Sequence, residues 1–176
     1  MALGLPKHRV EVHAYDPEWP GLFAEEATRL KQALGNWALA IEHVGSTSVP
    51  GLDSKPIIDI SIAIEDFDEA FETIPTMAEL GYMFRGELGI PRRHFFILGR
   101  PRTHHVHMNE ATSLDLRWQI AFRDYLRSHP DVAEEYRSLK LRLAGEFPTD
   151  LTSYSSGKSE FIANVLHLAS SEQDQS

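Results

Sequence analysis

The chain of 176 residues is 42% hydrophobic and contains no cysteine, which predicts one folded cytoplasmic domain and excludes disulfides, thiolate zinc sites and cysteine nucleophiles. No stretch approaches the roughly 20 apolar residues of a membrane-spanning helix, and segment 1–6 is too short for a secretory signal, so we expect no membrane partner. Its 17 lysines and arginines against 26 aspartates and glutamates give a formal net charge of −9, which repels nucleic acid on average and disfavours a polynucleotide partner.

The first elements predicted along the chain are a strand, a helix and a second strand. Residues 9–13 alternate polar and apolar side chains, as a half-buried strand does. A helix is predicted from Pro17 to about Gly35, with proline in its first turn and glycine past its end. Its apolar face consists of Phe23, Ala27, Leu30 and Leu34. The second predicted strand, 39–44, ends at Gly45.

The third predicted strand, 56–64, has two chemically different faces. Its even positions from 58 onward are all isoleucine, whereas its odd positions include Asp59 and Ser61. Alternate side chains of a strand point to opposite faces. The isoleucines are therefore expected to build the core, and Asp59 and Ser61 are expected to share the other face.

The middle of the chain continues with mixed signals. A helical segment over about 68–80 is expected to break or restart at Pro75. Three further strands are predicted at 82–85, 93–98 and 105–109. Together with the earlier elements, they predict a sheet combined with helices, which is an α+β arrangement.

The last third of the chain, from Ser113 onward, has an apolar period typical of helices only. Three helices are expected, separated near Pro130 and near Asp150, and the polar tail 170–176 is expected to be disordered. Aromatic residues at helical spacing are assigned to core packing: Trp19, Trp118, Phe122, Tyr125 and Tyr136. Residues 1–169 are thus predicted to form a single α+β domain.

The turn Gly45-Ser46-Thr47-Ser48 is the first candidate binding element. A strand that ends there leaves backbone N–H groups and small hydroxyls free to approach phosphate oxygens, and Gly45 places no side chain in the way. Asp59 follows on the polar face of the next strand, where a carboxylate suits Mg²⁺, which usually bridges to phosphate. By spacing alone, a serine-rich turn with an aspartate at a strand edge is the simpler interpretation.

Basic residues near these elements are further candidates for phosphate contacts. Lys55 precedes the third strand, and Arg92, Arg93 and Arg100 lie in a segment, 85–107, with five arginines and four histidines against one acid. A guanidinium can grip phosphate through two hydrogen bonds. The segment suggests a pocket for a small phosphorylated molecule or nucleotide, and a solvated basic loop is the alternative. Lys158 could approach the same pocket if the last helix folds back.

His105 and His107 form a second candidate cluster. On a strand they point to the same face, where two imidazoles could bind a transition metal, act as an acid–base pair or hold phosphate. The pattern is partly similar to that of histidine-triad nucleotide hydrolases, but Asn109 stands where a third histidine is needed. Histidines that hydrogen-bond across a sheet are the alternative, and His43 is expected to be structural.

The run from His43 to Leu52, together with Lys55-Pro-Ile-Ile-Asp-Ile60, resembles the signature of the GrpB family. Further similar stretches lie at 15–20, 122–130 and 154–158, and the resemblance extends from about residue 10 to residue 169. It implies a nucleotidyltransferase-like fold: a mixed β-sheet flanked by helices, with a helical C-terminal part.

The resemblance also implies which residues bind. In active members of the nucleotidyltransferase superfamily, a Gly-Ser pair binds the phosphates of the nucleotide and an Asp-x-Asp/Glu pair binds two metal ions. Gly45 and Ser46 match the first element and Asp59 matches the first carboxylate, whereas Ser61 stands in place of the second. The candidates for a replacement acid are Asp53, Glu87 and Glu110.

The activity that this likeness implies is Mg²⁺-dependent transfer of a nucleotidyl group from a nucleoside triphosphate to an acceptor. His107 is a second catalytic candidate beside Asp59, and Ser61, His105 and His107 are candidates for additional metal ligands. Two alternatives stay open: a nucleotide- or phosphate-binding module without turnover, and a histidine-dependent hydrolase of phosphate esters.

Overall fold

Five strands form one sheet in the computed structural model, which describes residues 3–173. In chain order they are β1 (Ala40–Val44), β2 (Ile58–Ile64), β3 (Tyr82–Phe84), β4 (Arg93–Leu98) and β5 (His104–Glu110). Their order across the sheet is β1-β2-β5-β4-β3. Strands β2 and β5 are parallel and the other neighbouring pairs are antiparallel, which confirms the predicted mixed sheet.

Helices cover the two faces of this sheet. In chain order the α-helices of the described residues are α1 (Trp19–Leu34), α2 (Ile74–Glu79), α3 (Leu114–Ser128), α4 (Pro130–Glu146), α5 (Leu151–Ser156) and α6 (Ser159–Gln173). Helix α2 begins next to Pro75, as the predicted restart requires, and follows a 3₁₀ segment. The succession α3–α6 confirms the helical C-terminal part. No helix within residues 3–173 is long and apolar enough to cross a bilayer.

The isoleucine face of β2 is the centre of the main core. Ile58, Ile60, Ile62 and Ile64 have no exposed surface, and they pack in one cluster with Trp19 and Leu30 of α1 and with Val106 and Met108 of β5. Burial of each such side chain contributes roughly 1.5–3 kcal/mol. This packing fixes the register of β2 and directs Asp59 and Ser61 to the opposite face, as the alternation predicts.

The C-terminal helices lie against the polar face of the sheet. Arg123 of α3 donates hydrogen bonds to the Glu42 carboxylate, at 2.7 Å, and to the backbone oxygen of His43, at 3.0 Å. A second core cluster joins Val49 and Leu52, which follow β1, to Leu126 and Tyr136 of α3 and α4. The helices therefore form one wall of a cleft whose floor is the polar face of β2 and β5.

Two predictions for the N-terminal region are wrong. Residues 9–13 do not form a strand: they make an isolated bridge between His13 and Ser54, and the Val10 N–H donates to the oxygen of Pro148. The alternation reflects instead the burial of Val10 against helices of the C-terminal part. Helix α1 begins at Trp19 and not at Pro17, with Pro20 in its first turn.

The C-terminal region also departs from the predictions. The helix expected after Asp150 is two helices, α5 and α6, separated at Gly157, where a Cβ would lie 2.6 Å from a methyl group of Leu143. Helix α6 continues to Gln173, so the predicted disordered tail is wrong for residues 170–173, and 174–176 lie outside the described residues. Trp118 was assigned to the core by its spacing, but it is 52% exposed.

Candidate functional site

Gly45 and Asp59 lie side by side at the end of the β1–β2 pair. Val44 is the register partner of Asp59, and Gly45 follows it directly. Gly45 has a φ of +68°, and a Cβ built on it would lie 2.6 Å from Oδ2 of Asp59. Only glycine tolerates both conditions. The turn and the acid that the sequence places in one site are therefore adjacent.

The hydroxyls of the turn have separate roles. Thr47 is buried and shares a hydrogen bond with Nε2 of His43, and Ser48 donates to the oxygen of Gly45. Ser46 is half-buried and lies within hydrogen-bonding reach of Tyr136 on α4. Of the three hydroxyls predicted to contact phosphate, Ser46 is thus the one that borders the cleft, while Thr47 and Ser48 hold the turn.

Asp59 is held by two histidines of β5. Its Oδ1 lies 3.0 Å from Nδ1 of His105 and 3.7 Å from Nε2 of His107. Burial would raise the pKa of Asp59, but the hydrogen bonds from both histidines overcome that effect and hold this pKa far below its usual range. The carboxylate is therefore ionised at neutral pH. Burial lowers the pKa of His105, against the influence of Asp59.

Arg93 joins this cluster from β4. Its Nη1 lies 3.2 Å from Nδ1 of His107, and its Nη2 donates to the backbone oxygens of Glu87 and Leu88. A guanidinium is a donor only, so Nδ1 of His107 accepts, and the proton of this imidazole resides on Nε2, facing Asp59. The arrangement fixes the tautomer of His107, and burial lowers the pKa of Arg93.

Arg92 lies outside the cluster although it is the neighbour of Arg93. Its guanidinium pairs with Glu110 at 2.8 Å and with Asp68 at 3.4 Å. Its φ of +58° interrupts the strand alternation just before β4 begins, which directs Arg92 and Arg93 to different surroundings.

Ser61 does not take over the role of a second carboxylate. Its hydroxyl donates to Oε1 of Gln119 on α3, and Gln119 in turn donates to Oδ2 of Asp115 at 2.8 Å. The candidate replacement acids are engaged elsewhere: Asp53 with Arg137, Glu110 with Arg92, and Glu87 with the N–H of Arg92.

These donors do not fit a two-magnesium centre. Mg²⁺ prefers oxygen ligands, and two ions need carboxylates between them. The cluster has one carboxylate, two imidazoles and a buried guanidinium. Within residues 3–173, no group of three or more histidine and acidic side chains is arranged to hold a metal ion.

Three lysines add positive charge beside the cluster. The ring of Tyr154 lies between Lys55 and Lys158, whose Nζ atoms are 5.3 Å and 4.5 Å from its centroid. Burial, and then the charge of Lys55, lower the pKa of Lys158 to about 8, while Asp59 opposes this shift. Burial also lowers the pKa of Lys55, again against Asp59. The two ammonium groups therefore lie in the field of the Asp59 carboxylate.

Lys140 of α4 is the most deeply buried of the three. It is 2% exposed, its Nζ donates to the backbone oxygen of Asp53, and burial followed by the charge of Lys158 lowers its pKa to about 7. The site prediction did not include Lys140, and Lys158 entered it only through the assumption of a folded-back helix. The signal for Lys158 was its place after Gly157, at the break between α5 and α6.

The cleft thus combines one ionised carboxylate with an excess of positive charge. Ser46 borders it from the turn, Lys55 from the segment before β2, and Lys158 from the break between α5 and α6. Lysines that are desolvated in this way gain from an incoming anion, because the anion replaces the lost hydration. The arrangement suits a ligand with several phosphate groups.

Comparison with known proteins identifies a family model that matches most of the chain and proteins of similar sequence. A family model described as "GrpB protein" matches residues 9–168. The UPF0157 protein YqkA of Bacillus subtilis is 42% identical over 158 residues, which are 89% of this chain and 46% of that protein. The chain therefore spans less than half the length of that relative.

Solved structures share the fold. The crystal structure of the conserved protein GrpB from Enterococcus faecalis is 36% identical, with a TM-score of 0.87 over 93% of this chain and 99% of that one. A structure of the Cid1 poly(U) polymerase with Mg 3′-dATP bound has a TM-score of 0.55 at 13% identity, over 83% of this chain and 49% of that one. The second likeness confirms the nucleotidyltransferase-like fold and nothing finer.

Proposed function

The chain belongs to the GrpB family, and on this basis we propose that it binds a nucleoside triphosphate through the phosphate groups. The observation that carries the proposal is the convergence of separate segments on one cleft: the turn at Gly45-Ser46, Lys55 before β2, Asp59 on β2 and Lys158 just before α6. The nucleotidyltransferase-like fold, which the chain shares with a Cid1 structure that has Mg 3′-dATP bound, supports a nucleotide as the ligand.

The residues divide the work of binding between them. In this proposal, Gly45 keeps the approach to the turn open, and the Ser46 hydroxyl donates to a phosphate oxygen. Lys55 and Lys158 supply two compact charges for the phosphate chain, since an ammonium binds phosphate as a point charge. The Asp59 carboxylate faces the same space and repels phosphate oxygens. It therefore orients the ligand by keeping the phosphate groups on the side of the lysines.

Transfer of the nucleotidyl group to an acceptor is the second candidate function. The observation in its favour is the position of Asp59, which matches the first carboxylate of the superfamily motif and is ionised. In that reaction an acceptor hydroxyl bonds to the α-phosphorus, pyrophosphate leaves, and the hydroxyl proton passes to water, because a carboxylate with a pKa as low as that of Asp59 is too weak a base to keep it. Because the donors do not fit two magnesium ions, Lys55 and Lys158 would neutralise the phosphate charge.

The hydrolase hypothesis receives no such support. A histidine nucleophile needs a ring nitrogen that is free to attack phosphorus. His107 directs one nitrogen to Arg93 and the other to Asp59. Nδ1 of His105 contacts Asp59, and its Nε2, although it has no hydrogen-bond partner within residues 3–173, is buried and therefore not accessible to a phosphate.

Calorimetric titration tests the binding proposal. The wild type is titrated with ATP, UTP, CTP and GTP, once with Mg²⁺ and once with EDTA. A titration with AMP, which lacks the β- and γ-phosphates, shows how much these groups contribute to the affinity. We expect triphosphate binding that Lys158→Met weakens by about tenfold or more, the equivalent of one lost charge-assisted hydrogen bond. The control is Lys31→Met, which removes an exposed lysine on α1.

Two outcomes would overturn the proposal: no triphosphate binding at millimolar concentrations, or equal weakening by both lysine substitutions. Release of pyrophosphate in the presence of candidate acceptors tests the transfer reaction separately. Its absence would leave the binding function intact, because binding needs only the turn and the lysines.

A further inference from the structure

A second pocket of about 780 Å³ opens at the β3–β4 side of the sheet. Its lining includes Met83, Arg85, Leu88, Ile97, Arg100 and Arg102. We propose that this pocket binds the second substrate of the site, an elongated molecule with an apolar body and an anionic group. The proposal rests on the proposed function, because it assigns the partner of the nucleotide.

The pocket and the Asp59 cleft share one continuous floor. Asp59 is the register partner of His105, His105 of Ile97, and Ile97 of Met83, so the four residues form a straight row across four strands. Register partners present their side chains on the same face of a sheet. With neighbouring strands about 4.8 Å apart, Met83 lies about 14 Å from Asp59 along this row. A ligand in the pocket can therefore extend towards the nucleotide.

Arg93 contacts residues that belong to each of the two spaces. It is 5% exposed, and it bonds to His107 on one side and to the backbone oxygens of Glu87 and Leu88 on the other. Leu88 lines the pocket and is itself exposed, in the loop between β3 and β4. One buried guanidinium thus positions both the pocket loop and the histidine that faces Asp59.

The charge of the pocket is opposite to that of the protein. Its lining holds four cations, Lys7, Arg85, Arg100 and Arg102, and no acid, although the chain has a net charge of −9. Within residues 3–173 none of these four cations forms an ion pair, whereas other arginines, such as Arg29, Arg123 and Arg137, do.

Individual contacts leave the guanidinium groups available. The Nη2 of Arg100 contacts Sδ of Met83, at 3.5 Å. Arg102 donates from Nη2 to the backbone oxygen of Pro6, at 3.3 Å, while its Nε is buried without a hydrogen-bond partner among residues 3–173. Guanidinium groups of this kind bind carboxylate or phosphate through paired hydrogen bonds.

The shape of the pocket indicates the rest of the ligand. Its volume is in the range of small-molecule sites, and its lining includes the apolar side chains of Met83, Leu88 and Ile97. An apolar or aromatic body fits these side chains, with the anion at Arg85 and Arg100. The two chemistries together describe a small amphipathic acid and not a free phosphate ion.

Paired probes test this assignment. 2-Naphthyl phosphate and 2-naphthoate carry an apolar body and an anion, whereas 2-naphthol carries the body alone. Each is titrated calorimetrically in the presence of saturating ATP, which blocks the phosphate cleft. We expect at least one anionic probe to bind one site per chain, and 2-naphthol to bind about tenfold more weakly or not at all.

Substitutions locate the binding. The double variant Arg85→Gln/Arg100→Gln should weaken the anionic probe by about tenfold and leave ATP affinity unchanged. Arg100→Glu, at an exposed position, repeats the test with little risk to folding, and Arg142→Gln on α4 is the control. Lys158→Met should weaken ATP and leave the probe, measured without ATP, unaffected.

The outcomes separate this proposal from the proposed function. No binding of either anionic probe, equal binding of 2-naphthol, or full retention of binding in both pocket variants overturns the pocket assignment. Probe binding that ATP displaces and that Lys158→Met abolishes places the probe in the phosphate cleft and also overturns it. If the wild type does not bind ATP, the proposed function is overturned. The probe results then still decide whether the pocket binds an amphipathic acid.

Discussion

Gly45 and Asp59 touch across the β1–β2 pair so closely that residue 45 has no room for a side chain. The contact explains why a glycine at the end of β1 and an acid on β2 belong to one structural unit. It also means that a small substitution at position 45 acts on the acid directly, without a change in charge.

Gly45→Ala is expected to destabilise the fold and to impair triphosphate binding. Alanine in a left-handed conformation costs roughly 1–2 kcal/mol, and the Cβ displaces the Asp59 carboxylate. Urea unfolding and ATP titration measure the two effects. Gly21→Ala is the matched control, since nothing lies within 4 Å of a Cβ there and alanine is favoured in a helix. Equal stability of the two variants would contradict the contact.

His43 is expected to make stability depend on pH between about 6.5 and 4. Burial lowers its pKa to about 4, so His43 stays neutral in the fold and becomes protonated in the unfolded chain. The unfolded state then binds more protons in this window, and stability falls as pH falls, by up to about 3 kcal/mol. Urea unfolding at several pH values should show a smaller slope for His43→Gln. The exposed His167→Gln should keep the wild-type slope.

Lys158→Met is expected to cost binding but not stability. The charged amine is desolvated and lies near Lys55, so an apolar side chain of similar length removes an unfavourable charge. Thermal unfolding without ligand should give a melting temperature equal to that of the wild type or higher. Addition of ATP should raise the melting temperature of the wild type and not that of the variant. A marked loss of stability without ligand would show that the amine supports the fold.

Arg93→Lys is expected to disturb both His107 and the loop that contains Leu88. Lysine cannot reproduce three contacts in different directions, and loss of hydrogen bonds from a charged donor costs roughly 1.5–3 kcal/mol. Imidazole ¹⁵N chemical shifts should report a changed tautomer of His107. Arg92→Lys, in the neighbouring position but outside the cluster, should leave those shifts unchanged.

Ser61→Asp is expected to create a binding site for a divalent cation. It places a carboxylate beside Asp59 on the same face of β2, at the position of the second acid in the superfamily motif. The cost is stability, since Ser61 is fully buried and faces Gln119. Calorimetric titration with Mn²⁺ should detect binding by the variant and weaker or no binding by the wild type. Ser54→Asp, also buried but outside the cleft, is the comparison for a non-specific gain.

The sequence was sufficient for the features that depend on local alternation. The isoleucine face of β2, the exit of β1 at Gly45 and the shared face of Asp59, His105 and His107 follow from side-chain direction alone. Alternation also misled at residues 9–13, because it shows that one face is buried and not that a partner strand exists. Helical spacing was misleading in the same way at Trp118, which fits an apolar stripe of α3 although its side chain lies in an open groove.

The charged lining of the cleft could not be predicted in the same way. Lys140 and Lys158 reach it only because α4–α6 fold back over the sheet, and such packing leaves no local pattern in sequence. Arg92 and Arg93 were indistinguishable as residue types, and the backbone turn at Arg92 decides which one reaches His107. The pairing of Ser61 with Gln119 spans the whole middle of the chain and has no sequence signal either.

The break at Gly157 has a consequence for how the protein can be divided. The bend between α5 and α6 places Lys158 against the ring of Tyr154, so the residue just before the final helix supplies one of the two lysines in the field of Asp59. A truncated chain that ended near residue 150 would keep every strand, but Asp59 would face solvent in place of Lys158. Under the proposed function, both the strands and this C-terminal segment are needed for binding, and we expect neither to retain affinity when it is expressed without the other.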